Sequence, residues 1–218
     1  MRKNAVILGV TGLVGNFCLE KLHAKQLYGR ITAVTRKAIK PAILGVENAV
    51  INFNEMSRFK QELTGDHAFC AFGTTIGKAG SKEAFRKVDF SYILEFAQIV
   101  KANGASKFIL VSAIGATTNS PFFYSKVKGE LEEALEKIGF ESLIILQPSL
   151  LLGKRKEVRI GEIIGNGVSL VANFALWGPL QKYKAIKAED VAEAMIHYAN
   201  KPTPKVLRLT YEQMVSLN

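Results

Sequence analysis

Cysteine is scarce in this sequence, and the two cysteines present form no recognisable pattern. The 218 residues contain only Cys18 and Cys70, which are too few for a disulfide framework and lack the spacing of metal ligands. We therefore expect two reduced thiols in the core and no metal site.

Long apolar runs are also missing. None approaches the ~20 residues needed to cross a bilayer. The basic start, Met1-Arg2-Lys3, and the apolar residues after it look like the beginning of a secretory signal, but no small-residue cleavage site follows cleanly. These absences predict a soluble protein that has no membrane partner and lies in the cytoplasm.

Acidic residues are outnumbered by basic ones. The chain has 29 Lys and Arg against 19 Asp and Glu, a formal net charge of +10 at pH 7. Such a charge attracts anions, and a phosphorylated cofactor and nucleic acid both qualify. The cations are scattered, however, without the aromatic-interleaved motif of a nucleic-acid module. We interpret them as a solvated basic surface and expect no nucleic-acid partner.

What the sequence does have is an alternation of short apolar runs with helical patterns. The runs lie at residues 4–9, 31–35, 49–53, 67–72, 107–112 and 143–146, and a short run at 206–209 ends the series. Continuous apolar runs are typical of parallel strands buried on both faces. Residues 1–218 are therefore predicted to form one α/β domain, a doubly wound parallel sheet of the Rossmann type. About residues 150–185 would form a substrate-side segment or lid.

Three glycines follow the first run at intervals of three residues. Gly9 would permit a sharp turn, Gly12 would let the backbone approach a pyrophosphate, and Gly15 would let helix and strand pack tightly. The helix that begins near Leu13 would present its N-terminus to the phosphates. The spacing differs from the standard Gly-x-Gly-x-x-Gly, and an ordinary tight turn is the alternative. The strand-to-helix setting favours a dinucleotide loop, to which Thr11, Leu13 and Val14 also belong.

Other strand ends complete the predicted cofactor site. Arg36 and Lys37 follow the second run where NAD enzymes often carry an acidic residue, so NADP (or NADPH) is expected rather than NAD. Phe53 would lie against an adenine or belong to the core. The stretch Phe72-Gly73-Thr74-Thr75 suits a ribose or phosphates, although a plain turn with a Thr N-cap is the rival interpretation.

The candidate chemistry lies at Ser112, Tyr124 and Lys128. Ser112 ends the fifth run, and Tyr124 and Lys128 stand four residues apart, which places them on one face of a helix. A free phenol with a pKa near 10 is a poor acid or base at neutral pH, and a neighbouring cation would lower that pKa. A serine hydroxyl nearby could align a carbonyl or alcohol oxygen for hydride transfer.

This order of motifs resembles the short-chain dehydrogenase/reductases over nearly the whole chain, and Gly9-x-Thr11-Gly12-x-x-Gly15 resembles their atypical and extended branches. Residues 73–80, 124–130 and 151–162 are similar to those of the Tat-interacting-protein-like oxidoreductases. The resemblance implies an NADP-binding Rossmann domain that acts on a small carbonyl or alcohol. Tyr124 would be the acid/base, Lys128 would bind the nicotinamide ribose and lower the tyrosine pKa, and Ser112 would lie near the substrate. Pro148 matches the family segment that passes the nicotinamide.

Two departures from the family pattern keep a second hypothesis open. Ala113 stands where relatives often have a second serine, and Asp89 stands where many extended members have an asparagine. A catalytically silent NADP-binding protein that senses cofactor state and binds a protein partner is the alternative to an enzyme.

Three further segments carry open interpretations. The apolar surface of the helical region 81–103 could face the sheet alone or also a second subunit, as in a homodimer. Residues 154–159 are interpreted as a solvated basic face, with a substrate anion as the alternative. Residues 163–177 would be a lid or an oligomer contact.

Overall fold

The computed structural model describes residues 2–153 and 178–217. Seven parallel strands form the main sheet in the order β3-β2-β1-β4-β5-β6-β9. They are β1 (Asn4–Leu8), β2 (Arg30–Thr35), β3 (Val46–Val50), β4 (His67–Cys70), β5 (Lys107–Val111), β6 (Ser142–Leu146) and β9 (Val206–Leu209). A separate parallel pair consists of β7 (Leu151–Leu152) and β8 (Ile186–Lys187). The predicted doubly wound α/β fold is confirmed.

Helices cover both faces of the sheet. The longer ones are α1 (Leu13–Lys25), α4 (Tyr92–Ala102), α5 (Phe123–Ile138) and α6 (Ala188–Ala199), and the short ones are α2 (Ile76–Ala79), α3 (Lys82–Arg86) and α7 (Tyr211–Val215). Helices α1 and α6 share one apolar core with the sheet, and α4 and α5 share the other. Strands between two such layers are buried on both sides, which explains their continuous apolar runs.

The third strand lies earlier in the chain than predicted. The sequence suggested residues 49–53, whereas β3 spans Val46–Val50 and a 3-10 helix, Phe53–Phe59, follows it. None of the five residues of this edge strand is fully buried, and Glu47 and Val50 are exposed. A strand that is not buried on both faces needs no continuous apolar run, so only the apolar residues at its end indicated it.

The predicted long helix over residues 81–103 is divided into three parts. A π-helical turn, Lys87–Ser91, separates α3 from α4. Asp89 is fully buried within this turn. Such turns occur frequently at functional sites because the wider turn changes the direction of its side chains. The predicted end of α4 is confirmed, since Asn103 caps the helix and Gly104 has φ +94°.

The strand order reverses between β1 and β4. In open α/β sheets, ligands bind in the crevice outside the carboxyl ends of the strands at such a reversal. The glycine turn after β1 and the loop after β4 both lie at this edge. The sheet therefore brings the predicted cofactor segments to the same place.

Part of the predicted substrate-side segment is described. Residues 178–183 form a 3-10 helix, Gly178–Tyr183, and Ser149 Oγ donates to the carbonyl of Lys184. The interpretations of residues 154–159 and 163–177 lie outside the described residues. Within the described parts of the chain, no helix is both long and apolar enough to cross a membrane.

Candidate functional site

The glycine turn after β1 is as close-packed as the sequence predicted. Gly9 has φ +99°, and a Cβ atom there would lie 2.6 Å from the backbone of Ala71. A Cβ atom at Gly15 would lie 2.1 Å from the carbonyl oxygen of Gly9, and Gly12 N–H donates to that same oxygen at 2.9 Å. Any side chain at Gly9 or Gly15 would force the β1–α1 turn apart.

The N-terminus of α1 faces the crevice without a side-chain cap. The N-cap residue is Gly12, and the first turn contains no acidic side chain. Such a helix end has unsatisfied N–H groups and a partial positive charge, which together suit a phosphate. Thr11 is exposed at this turn, whereas Val14 is buried in the core and Leu13 packs against the chain at Gly153. Val14 can therefore offer a ligand its backbone only.

A cavity of about 410 Å³ lies beyond the ends of β2 and β3. It is lined by Arg36, Val50, Ile51, Asn52, Phe53, Asn54 and Tyr92. The guanidinium carbon of Arg36 lies 6.0 Å from the centre of the Phe53 ring, at the outer limit of a cation–π contact. Lys37 is exposed beside Arg36. Of the two predicted cations, Arg36 is the one that lines the cavity.

Phe53 lies both in the core and in the wall of this cavity. It is buried, and its ring packs edge-on against Phe72 at 5.2 Å and Tyr92 at 5.8 Å between ring centres. The same ring also forms part of the cavity wall. Phe53 is thus a core residue with one edge facing a ligand-sized space.

The loop after β4 is anchored by a buried carboxylate. A Cβ atom at Gly73 would lie 2.7 Å from Asp89 Oδ1, and Thr74 N–H donates to Asp89 Oδ2 at 2.8 Å. Thr75 accepts from Lys78 N–H at 3.2 Å as the N-cap of α2. The absence of a side chain at Gly73 therefore makes room for Asp89, and Thr75 takes the capping role that the sequence left as an alternative.

Lys128 forms a buried ion pair with Asp89. Its Nζ lies 2.8 Å from Asp89 Oδ1, and only 5% of the lysine side chain and 1% of the aspartate side chain are exposed. Burial alone would lower the pKa of Lys128, but the charges of Asp89 and Tyr124 and the hydrogen bond to Asp89 together raise it above its ordinary value. Lys128 is thus a permanent cation whose nearest partner is an anion.

Tyr124 lies on α5, one helical turn before Lys128. It is half-buried, and its ring centre lies 5.4 Å from that of Phe85. A phenolate at Tyr124 would favour the charged form of Lys128 and is one of the causes that raise the pKa of that lysine. The predicted pairing of these two side chains on one helix face is present in the structure.

Ser112 is held by a partner that the sequence analysis missed. Its hydroxyl donates to Glu132 Oε1 at 2.5 Å, and Glu132 also accepts from Gln147 Nε2 at 3.0 Å and from Arg208 Nε at 3.2 Å. The Ser112 hydroxyl proton is therefore used in a hydrogen bond within the protein. Glu132 stands four residues after Lys128 on α5, so helical spacing could have placed it on the face of Lys128 but could not have paired it with Ser112.

The loops after β5 and β6 are joined beside Ser112. Ile114 N–H donates to the carbonyl oxygen of Pro148 at 3.0 Å. Ala113 is buried and offers no hydroxyl. Of the predicted catalytic residues, the structure thus connects Tyr124 with Lys128 and holds Ser112 in a separate network.

Comparison with known proteins gives this chain named relatives. No family model matches the chain. It is 36% identical over 202 residues to protein FMP52, mitochondrial, of Candida albicans, which covers 89% of this chain and 87% of that protein. It is 35% identical over 164 residues to protein HTATIP2 of Rattus norvegicus, with 73% of this chain and 67% of that protein covered. The prediction of a cytoplasmic location is wrong on this comparison, because the FMP52 relatives are named as mitochondrial proteins.

Solved structures share the fold at low sequence identity. A UDP-N-acetylglucosamine 4-epimerase from Methanobrevibacter ruminantium has a TM-score of 0.69 at 15% identity, with 95% of this chain and 76% of that chain covered. MoeE5, solved in complex with UDP-glucose and NAD, has a TM-score of 0.70 at 12% identity, with 98% and 80% covered. These likenesses concern the Rossmann architecture.

Proposed function

The chain belongs to the family of the FMP52 and HTATIP2 proteins, within the short-chain dehydrogenase/reductase superfamily, and we propose that it is an NADP-dependent oxidoreductase acting on a small carbonyl or alcohol. The single observation that carries the proposal is the placement of Tyr124 and Lys128. They share one face of α5, and the ammonium of Lys128 lies beside the Gly73–Thr74 loop at the crevice. This placement supports Tyr124 as the acid/base and Lys128 as a fixed cation at the edge of the sheet where ligands bind in this fold.

The residues at the crevice fit a dinucleotide. Gly9, Gly12 and Gly15 leave a bare backbone turn at the uncapped start of α1, which suits a pyrophosphate. The cavity beside Arg36 and Phe53 suits an adenosine, and the guanidinium supplies the charge that a 2′-phosphate needs. MoeE5 was solved with NAD, so the preference for NADP in this chain rests on Arg36. Further predicted cofactor residues would line other parts of the dinucleotide site; these are Phe72, Thr74 and Pro148.

The chemistry divides between the cofactor and the chain. When bound, a nicotinamide donates or accepts the hydride. Tyr124 gives its phenolic proton to the carbonyl oxygen during reduction, or removes the proton of the alcohol during oxidation. Lys128 stabilises the phenolate, because an adjacent cation favours the ionised form. The Ser112 hydroxyl donates its proton to Glu132, so its oxygen could accept a hydrogen bond from an alcohol substrate. It could donate to a carbonyl substrate only if the bond to Glu132 were broken.

The test is turnover by the full chain with NADPH and a panel of small aldehydes and ketones. Wild-type protein should oxidise NADPH with at least one member, and Tyr124→Phe should remove that activity while cofactor affinity stays unchanged. A matched control is Tyr198→Phe, since Tyr198 lies on α6, outside the crevice residues named above, and its hydroxyl donates to the carbonyl oxygen of Gln213 at 3.2 Å. Undiminished turnover in Tyr124→Phe would remove Tyr124 from the role of acid/base.

A second candidate function is supported by the Ser112 network. The serine hydroxyl is committed to Glu132, and Ala113 supplies no second hydroxyl. A protein that binds NADP without turnover, and whose affinity for a protein partner follows cofactor occupancy, fits these facts. Calorimetry would then show tight NADP binding in protein that oxidises none of the panel, and the partner would be captured only in the presence of the cofactor.

A further inference from the structure

The buried pair of Asp89 and Lys128 has a consequence for Tyr124. We propose that Asp89 is a positioning residue that compensates the charge of Lys128 and thereby sets the pH at which Tyr124 ionises. The inference deepens the proposed function, since it concerns the acid/base of the same site. It identifies a residue that governs the reaction without touching the substrate.

The carboxylate of Asp89 contacts two segments of the candidate site. It is fully buried in the π-helical turn, and its two oxygens face different partners. Oδ1 lies 2.8 Å from Lys128 Nζ, and Oδ2 accepts from Thr74 N–H at 2.8 Å. The carboxylate thus ties the crevice loop after β4 to the helix that carries Tyr124.

Charge compensation follows from burial. A buried cation with no partner acts strongly on a nearby phenol, because a low-dielectric surrounding leaves its field unscreened. Here the nearest charge to Lys128 is the Asp89 carboxylate, and their contact has almost no exposed surface. The phenol therefore experiences a pair of opposite charges instead of a lone ammonium. The stabilisation that Lys128 gives to the Tyr124 phenolate is reduced accordingly.

Among the described residues, two other titratable groups act on this pair. Tyr124 approaches Lys128 from its own helix, and Cys70 approaches from β4. Burial raises the pKa of Cys70 to about 12, so this thiol stays neutral across the working range. Glu132, on the next turn of α5, is engaged with Ser112, Gln147 and Arg208. Asp89 is thus the anion that balances Lys128.

The experiment measures the ionisation of Tyr124 directly, in the full chain without cofactor or substrate. Protein labelled with carbon-13 in the tyrosine ring is titrated by NMR, and the Tyr124 signal is assigned by its loss in Tyr124→Phe. Asp89→Asn keeps an oxygen that can accept from Thr74 N–H but removes the charge. The midpoint of the Tyr124 titration should fall by about one pH unit in this variant, as expected for a unit charge removed at close range. If NADPH turnover is present, its pH profile should move in the same acid direction.

Two further variants keep the test decisive if Asp89→Asn folds poorly. Lys128→Met should raise the Tyr124 midpoint, because Asp89 then acts alone. The double variant Asp89→Asn/Lys128→Met leaves the buried site uncharged, and its midpoint should return to within about half a unit of wild type if the pair acts as a near-neutral unit. Glu130→Gln is the matched control, since it removes a carboxylate from the same helix at a partly exposed position where Glu130 pairs with Arg86.

The outcomes separate this inference from the proposed function. Equal midpoints in Asp89→Asn and wild type, or in Lys128→Met and the double variant, would overturn the role of Asp89 and leave it merely structural. Absence of NADPH oxidation by the wild-type protein with every member of the panel would instead defeat the proposed function, whereas the Tyr124 titration would still report on Asp89.

Discussion

Gly73 and Asp89 are in such close contact that a Cβ atom at Gly73 would lie 2.7 Å from Asp89 Oδ1. The same Cβ atom would lie 3.5 Å from Lys128 Nζ. The Asp89 carboxylate cannot easily move away from Gly73, because its other oxygen accepts a hydrogen bond from Thr74 N–H. The glycine at the end of β4 is thus required by the protein's own ion pair, whatever it also offers to a ligand.

Gly73→Ala should therefore destabilise the protein. Overpacking of a buried position costs about 1 to 3 kcal/mol, and here the displaced atoms belong to an ion pair. The free energy of unfolding from denaturant titration measures the loss. Gly29→Ala is the matched control, because its Cβ atom would meet nothing closer than 3.4 Å. Equal stabilities of the two variants would show that the Asp89 carboxylate can shift at little cost.

Replacement of Lys128 alone should lower the free energy of unfolding more than replacement of both Asp89 and Lys128. Lys128→Met leaves Asp89 buried without its cation, and breaking a buried pair on one side costs about 3 to 5 kcal/mol. The double variant Asp89→Asn/Lys128→Met leaves no buried charge, and its unfolding free energy should lie closer to wild type than that of Lys128→Met. Denaturant unfolding of the three proteins at one pH decides this. A double variant less stable than Lys128→Met would show that the pair stabilises through more than charge.

The fold could be predicted from the sequence because most strands are buried on both faces. β5 and β6 are continuous apolar runs, and their positions were found to within one residue. β3 was placed too late because it is an edge strand with an exposed Glu47. The π-helical turn also escaped prediction, since one wide turn leaves the helical pattern on either side intact.

The candidate site was predictable where its residues are close in the chain. Tyr124 and Lys128 stand one helical turn apart, and Gly9, Gly12 and Gly15 lie in one turn. The partners Asp89 of Lys128 and Glu132 of Ser112 come from other parts of the chain, and only the folded sheet brings them together. A local pattern could indicate that these side chains were special, but it could not show what they contact.

Arg36 should govern the choice between the two nicotinamide cofactors. It lines the cavity beside Phe53, whereas Lys37, which is exposed as Arg36 is, does not line that cavity. Arg36→Ala should weaken NADP binding by roughly tenfold, the loss of one charge-assisted contact, and should change NAD binding much less. Lys37→Ala is the matched control and should alter the ratio of the two dissociation constants little. Calorimetric titration of each variant with both cofactors measures that ratio, and an unchanged ratio in Arg36→Ala would contradict the assignment.

His67 should make the protein less stable in weak acid. It is fully buried at the start of β4, with Nε2 3.1 Å from Lys3 Nζ and Nδ1 2.8 Å from Tyr28 Oη. A lysine ammonium can only donate, so Nε2 accepts and Nδ1–H donates to the phenol. A second ring proton would face the ammonium of Lys3. Burial, followed by the charges of Lys3 and Lys107, accordingly lowers the pKa of His67 to about 4.

The direction of the pH effect follows from that lowered pKa. As the pH falls below the ordinary histidine value of 6.5, the unfolded chain binds a proton that the folded chain accepts only near pH 4. Stability is therefore complete above about pH 6.5 and declines between there and pH 4, by up to about 3 kcal/mol for this one group. Denaturant unfolding of wild type and His67→Gln across this range should show a smaller decline in the variant. His23→Gln, which alters a partly buried histidine on α1, should decline as wild type does, and parallel curves for wild type and His67→Gln would assign the acid sensitivity to other groups.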